Sequence, residues 1–93
     1  MPSFQQQPID HIIDVRSKLE FWLGHVPGAV CMPVDGIHET MPARTEIARN
    51  ACILVYCASG GRSAAARATL QRLGYTRVIN GGPMTNVTAH LSS

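Results

Sequence analysis

Near the middle of the chain a cysteine is followed at once by small residues and an arginine: Cys57, Ala58, Ser59, Gly60, Gly61, Arg62, Ser63. A thiol reacts as its thiolate, so whatever stabilises negative charge on the sulfur raises its reactivity at neutral pH. Two adjacent glycines let the backbone curl until the N–H groups of residues 58–63 point inward. A helix starting near Arg62 adds the positive end of its dipole. Arg62 itself carries a charge that is not lost by titration. The same three features would hold an anionic substrate. By itself a cysteine at a strand end is an ordinary buried residue, and Gly-Gly is an ordinary strand-to-helix turn. The cysteine-to-arginine spacing sharpens the pattern. The expected nucleophile is therefore Cys57, with a pKa below that of a free thiol, and the expected binding residues are Ala58, Ser59, Gly60, Gly61, Arg62 and Ser63.

No other grouping competes. Cys31 and Cys52 form no CxxC pair with Cys57 or each other, and the odd, low count argues against a disulfide framework. His11, His25, His38 and His90 are scattered without helical ligand spacing, so neither a metal nor a cofactor is expected.

The elements around the loop can be placed from the pattern of apolar residues. Residues 51–56, ACILVY, form a continuous apolar run without alternation, which predicts a parallel strand covered on both faces. Residues 62–73 are alanine-rich and predict a helix, with Ala66, Leu70 and Leu73 on one face and Gly74 as the residue that ends it. Ile9 to Val15 predicts a strand ending near Asp14 and Arg16. Ser17 with Glu20 three residues on is a capping box for a short helix to Gly24, in which Phe21 and Trp22 are expected to pack inward. Pro27-Gly28 marks a turn before a strand over residues 29–32, and Asp35 is a candidate cap for a helix reaching His38 or Met41. Residues 75–79 predict a last strand stopped by Asn80-Gly81-Gly82-Pro83. Residues 1–8 read as a polar arm, and the tail over residues 84–93 as a weak helix. Strands alternating with helices imply a parallel α/β sheet with right-handed crossovers. In such sheets ligands bind beyond the carboxyl ends of strands, where Cys57 falls.

Composition is consistent with one globular domain over residues 1–93. Of these, 45% are hydrophobic and 15% charged, and the net charge is +2. That charge is too small to suggest a nucleic-acid or membrane-surface partner. The longest apolar run falls far short of the roughly 20 residues that span a bilayer. No signal-peptide pattern opens the chain, so a cytoplasmic location is expected as it stands, and a periplasmic one if a leader has been removed.

With these residues in view, CASGGRS resembles the active-site loop of the rhodanese family, Cys-x-x-Gly-x-Arg-Ser. IDVRSKLEF is similar to that family's Asp-x-Arg segment, GHVPGAVCMP to its Gly-His-Ile-Pro-Gly-Ala segment, and LQRLGYTRVINGG to its stretch ending in Gly-Gly. The likeness runs in order from Ile13 to Gly82. It implies a rhodanese-like α/β fold, with a central, mostly parallel sheet of about four to five strands flanked by helices. It also implies a thiosulfate sulfurtransferase. Cys57 would take the outer sulfur of thiosulfate as a persulfide, sulfite would leave, and a thiol or cyanide would collect the sulfur by a ping-pong route. The partners implied are a small anionic sulfur donor, a thiol or cyanide acceptor, and a thiol protein in some settings. Asp14 and Arg16 match the Asp-x-Arg pair and are expected to be structural, ion-paired near the site. His25 is expected to stabilise its turn, and Cys31 and Cys52 match no catalytic position.

The chain departs from the family pattern in two places. Few residues precede Asp14, so the usual opening strand and helix are shortened, as in the short phage-shock type, many of which are exported. Pro83-Met84 replaces the tryptophan often found after Gly-Gly. Three alternatives to an enzyme of this kind remain: a persulfide carrier or sensing module serving a protein partner, a phosphatase or arsenate reductase, and an inactive binding module. Retention of Cys57 with Arg62 speaks against the last.

Overall fold

A computed structural model describes residues 2–92. A four-stranded parallel sheet forms its centre, in the order β4-β3-β5-β6. The strands are β3 (His11–Asp14), β4 (Val30–Cys31), β5 (Cys52–Cys57) and β6 (Arg77–Pro83). Helices α1 (Lys18–Leu23), α2 (Ile37–Ala43), α3 (Gly61–Arg72) and α4 (Met84–His90) connect or follow them. Asp14 is level with Tyr56 across β3 and β5, so the strands that carry Asp14 and Cys57 end side by side.

Every residue of β5 is buried. Ile53, Val55 and Cys57 face a core shared with Ile37, Met41, Ala66 and Leu70 of α2 and α3. Cys52, Leu54 and Tyr56 face a second core with Phe4, Ile12, Val26 and Val87. Two covered faces explain why this strand shows no polar alternation. Each fully buried aliphatic side chain contributes roughly 1.5–3 kcal/mol to holding the sheet between its layers.

Several expectations are modified. The stretch expected to be a polar arm forms a hairpin, β1 (Ser3–Phe4) with β2 (Gln7–Pro8). Gln5 and Gln6 both take positive φ at its tip, as in a type I′ turn. Phe4 is buried, and Ser3 and Ser92 exchange backbone hydrogen bonds of 2.7 and 2.8 Å that join the two ends of the chain. Asp35 does not cap a helix: it lies inside a 3-10 turn over Val34–Gly36, and Gly36 precedes α2. The last strand is not stopped at Asn80. It shifts register between Val55 and Cys57 and runs on until Pro83 sits beside Cys57. Gly81 permits this approach, because a Cβ there would lie 2.7 Å from Val87 Cγ2 and 2.9 Å from Leu54 Cδ1.

The other correction concerns α1. Its capping box forms as expected, with Ser17 and Glu20 bonded reciprocally and Gly24 closing the helix. Trp22, however, is 79% exposed rather than packed inward. Leu19 and Leu23 are also exposed. Glu20 turns toward the Cys57 loop, where it meets Arg62. Trp22, about 200° further round the helix, must then point to solvent. Phe21 is half-buried and stacks on the ring of His25, with centroids 3.7 Å apart.

Candidate active site

Cys57 ends β5, and α3 begins four residues later at Gly61. The turn between them depends on Gly60, whose φ of +102° is a left-handed conformation that a residue with a Cβ enters at a cost. In this conformation the Gly60 N–H donates to Cys57 Sγ at 2.8 Å, and its carbonyl accepts the first helical bond, from Ala64 N–H at 3.1 Å.

The buried hydroxyl of Ser63 lies 3.5 Å from Cys57 Sγ. It donates to Asn80 Oδ1 at 2.7 Å or to the Gly60 carbonyl at 3.0 Å, while a protonated Cys57 donates to it. Asn80 Oδ1 also accepts from Gly82 N–H at 2.9 Å, so β6 is tied to the loop through one side-chain oxygen. Burial of Cys57 pushes its thiol pKa up. Hydrogen bonding from the Ser63 side chain and from the amides of Ser63, Gly60 and Ser59 outweighs this, and the net shift is downward. Cys31 goes the other way, because burial and the neighbouring Asp14 charge both raise it.

Gly60 and Ser63 are thus brought onto the sulfur, together with the Ser59 amide. The side chains of Ala58 and Ser59 are at the surface. Arg62 is not folded onto Cys57. Its guanidinium grips Glu20, with Nη1 to Oε1 at 2.7 Å and Nη2 to Oε2 at 3.1 Å.

Asp14 is fully buried and gathers its own set of donors. It receives the Arg16 backbone amide at 2.9 Å, Arg16 Nη2 at 2.7 Å and the Tyr56 hydroxyl at 2.9 Å. Tyr56 in turn accepts from Val26 N–H at 3.0 Å, and Arg16 Nη2 reaches the Gly24 carbonyl at 2.6 Å. This cluster stitches β3, β5 and the residue after α1 together beneath the site. His25 holds its own turn, with Nδ1 2.9 Å from the Phe21 carbonyl. Cys52 faces the opposite core, and Cys31 Sγ lies 3.8 Å from the Arg16 carbonyl. All three thiols are free.

Three participants carry no sign of a site role in the sequence. Tyr56 reads only as part of an apolar strand. Asn80 reads only as part of a strand-stopping turn. Glu20 is marked by its capping spacing, which carries no sign of its second bond to Arg62.

Among the described residues no His, Cys, Asp or Glu cluster could hold a metal ion, and no helix is long and apolar enough to cross a membrane. A cleft of about 640 Å³ lies against Ile12, Val26, Thr88 and Leu91, and no residue of the Cys57 loop lines it.

The sequence profile of the rhodanese-like domain matches residues 3–83. The chain belongs to the rhodanese family. A curated relative, thiosulfate sulfurtransferase PspE of Escherichia coli strain K12, is 33% identical over 78 residues, covering 84% of this rhodanese and 74% of the relative. A sulfurtransferase of Allochromatium vinosum is 36% identical over 69 residues, or 74% of this rhodanese and 62% of that protein. A solved structure described as a rhodanese with anions from E. coli superimposes with a TM-score of 0.78 at 30% identity, covering 89% of this rhodanese and 96% of that chain. The rhodanese-like fold is therefore established for this chain, and sulfur transfer is the activity for which its relatives are named.

Proposed function

We propose that this rhodanese moves a sulfane sulfur from thiosulfate or a related small anion to a thiol or cyanide through a persulfide on Cys57. The observation that carries the reading is the Gly60 amide donating to Cys57 Sγ from 2.8 Å, in a loop whose Ser59 and Ser63 amides also favour the thiolate. Donors placed around a single atom favour its anionic form, which is the state of both the attacking thiolate and the resulting persulfide.

In the first half-reaction the Cys57 thiolate attacks the outer sulfur of thiosulfate. A Cys57 S–S bond forms, the S–S bond of thiosulfate breaks, and sulfite leaves with the electron pair. In the second, a thiolate or cyanide attacks the terminal sulfur of the persulfide and returns Cys57 as a thiolate. No external oxidant or reductant is required. The amides of residues 58–63 cradle the added sulfur, with Arg62 at the rim of the cradle. Asp14, Arg16 and Tyr56 hold the floor rigid. Cys57 is buried, so a donor reaches the sulfur only when the surrounding residues move aside.

Incubation of the reduced chain with thiosulfate, followed by intact mass and peptide mapping, tests this. One added sulfur on Cys57, absent in Cys57→Ser, is expected. Loading of Cys31 or Cys52 instead would overturn it. Four residues separate Cys57 from Arg62, and the cysteine phosphatases that this family resembles carry a longer loop. A shorter ring suits one extra sulfur atom better than a phosphoryl group with three oxygens. Negligible hydrolysis of aryl phosphates is expected from the same preparation.

A further inference from the structure

Two guanidinium groups lie at this end of the sheet, Arg62 in the first turn of α3 and Arg16 beside Asp14 at the end of β3, and each is already committed. Arg16 is bonded to Asp14 at 2.7 Å and to the Gly24 carbonyl at 2.6 Å. Arg62 is held by Glu20 through both of its terminal nitrogens. Glu20 is itself fixed: Oε1 also accepts from the Ser17 amide at 3.1 Å and the Ser17 hydroxyl at 3.0 Å. The capping box of α1 thus presents a carboxylate in a set position to the first turn of α3. This two-pronged guanidinium–carboxylate pair occupies the Nη1–Nη2 end of Arg62 and draws the group toward α1 rather than toward the sulfur. Bonding to Arg62 and to Ser17 holds the Glu20 carboxyl at about 2, so it stays charged and engaged at neutral pH. The bonds made directly to Cys57 Sγ therefore come from loop amides, and Arg62 acts on the thiolate only through space.

We propose that Glu20 is a positioning residue that sets donor specificity: it withholds Arg62 from the substrate, favouring donors with one net negative charge, such as small persulfides, over dianionic thiosulfate. This rests on the sulfur-transfer reading of Cys57 and names its preferred donor class. With a persulfide, the Cys57 thiolate attacks the outer sulfur, the donor S–S bond breaks, and the donor's inner sulfur leaves as a thiolate. The product on Cys57 is the same as with thiosulfate. The approach to the thiolate differs, because thiosulfate brings one more negative charge to a loop whose arginine, Arg62, is paired with Glu20. That repulsion is less compensated while Glu20 keeps Arg62.

The test measures the second-order rate of sulfur loading onto Cys57, by rapid quench and intact mass, with thiosulfate and with cysteine persulfide. Glu20→Gln removes the charge, and glutamine still completes a capping box. Its thiosulfate rate should rise about tenfold relative to its persulfide rate, the scale of one charge-assisted hydrogen bond. The thiosulfate rate should also fall more steeply with salt. Glu20→Gln/Arg62→Gln should lose that gain. Glu20→Asp, which keeps the charge but shortens the reach, should fall between the wild type and Glu20→Gln, and it decides the matter if the glutamine variant does not fold. An unchanged or reduced thiosulfate-to-persulfide ratio in the folded variants overturns the role of Glu20 while leaving sulfur transfer intact. Failure of both donors to load Cys57 in the wild type overturns the sulfur-transfer reading, and this proposal with it.

Discussion

The backbone amide of Gly60 points at Cys57 Sγ from 2.8 Å, and the carbonyl of the same residue accepts the Ser63 hydroxyl at 3.0 Å and the Ala64 amide at 3.1 Å. One glycine therefore links the thiol, its hydroxyl neighbour and the start of α3. The relationship requires a φ of +102°, which places the amide on the sulfur side of the turn. Stabilisation of the thiolate and initiation of the helix are in this way two consequences of a single backbone conformation.

The Cys57 thiol should ionise below the ordinary range for cysteine, because donors to the sulfur outweigh its burial. Thiolate ultraviolet absorbance, taken as the difference between wild type and Cys57→Ser, should rise at lower pH than for a free thiol. Cys31, raised by burial and by Asp14, should ionise later. Gly60→Ala should move the Cys57 transition back upward and cost about 1–2 kcal/mol of stability, since alanine is strained in the left-handed region. A Cys57 midpoint at or above that of a free thiol would mean that the amides do not act on the sulfur as described.

Gly81→Ala should destabilise the fold by about 1–3 kcal/mol through overpacking. The added methyl would meet Val87 Cγ2 at 2.7 Å, Leu54 Cδ1 at 2.9 Å and the Val55 carbonyl at 3.2 Å. Chemical denaturation measures this. A variant as stable as wild type would show that β6 can withdraw from β5 without penalty.

Tyr56→Phe should cost about 1–3 kcal/mol, because it removes a donor from buried Asp14 and an acceptor from the buried Val26 amide. Burial pushes the Tyr56 phenol up to about 12, so it remains a neutral donor to Asp14 throughout the physiological range. A loss of stability without a change in the Cys57 ionisation curve would place Tyr56 in the support beneath the site. A shifted curve would show that this support reaches the sulfur.

The single tryptophan, Trp22, should emit at long wavelength and be quenched readily by a small neutral quencher in the native state, since it is 79% exposed. Trp22→Ala should change stability by less than about 0.5 kcal/mol. A blue-shifted, protected emission in dilute solution would contradict the exposed placement of α1.

Local chemistry made part of this protein legible from its residues. The apolar run before Cys57 called for a strand buried on both faces, and β5 has that form. Ser17 and Glu20 announced a capping box, and Gly74 the end of α3, because caps are satisfied within a few residues of the chain. The order of elements implied a parallel sheet, which placed Cys57 at a carboxyl edge beside Asp14. Contacts between distant segments were decided only by the tertiary structure. Nothing in the spacing of Glu20 says that a residue 42 positions away will take its carboxylate, turning Arg62 from the sulfur and Trp22 to solvent. Asn80 and Gly81 looked like a strand stop, because glycines usually interrupt pairing. A register shift beside Cys57 instead required a residue without a side chain there and an oxygen for Ser63 next to it. A cap is settled by neighbours in sequence, whereas a guanidinium goes to whichever carboxylate the packing of helices on the sheet brings within reach.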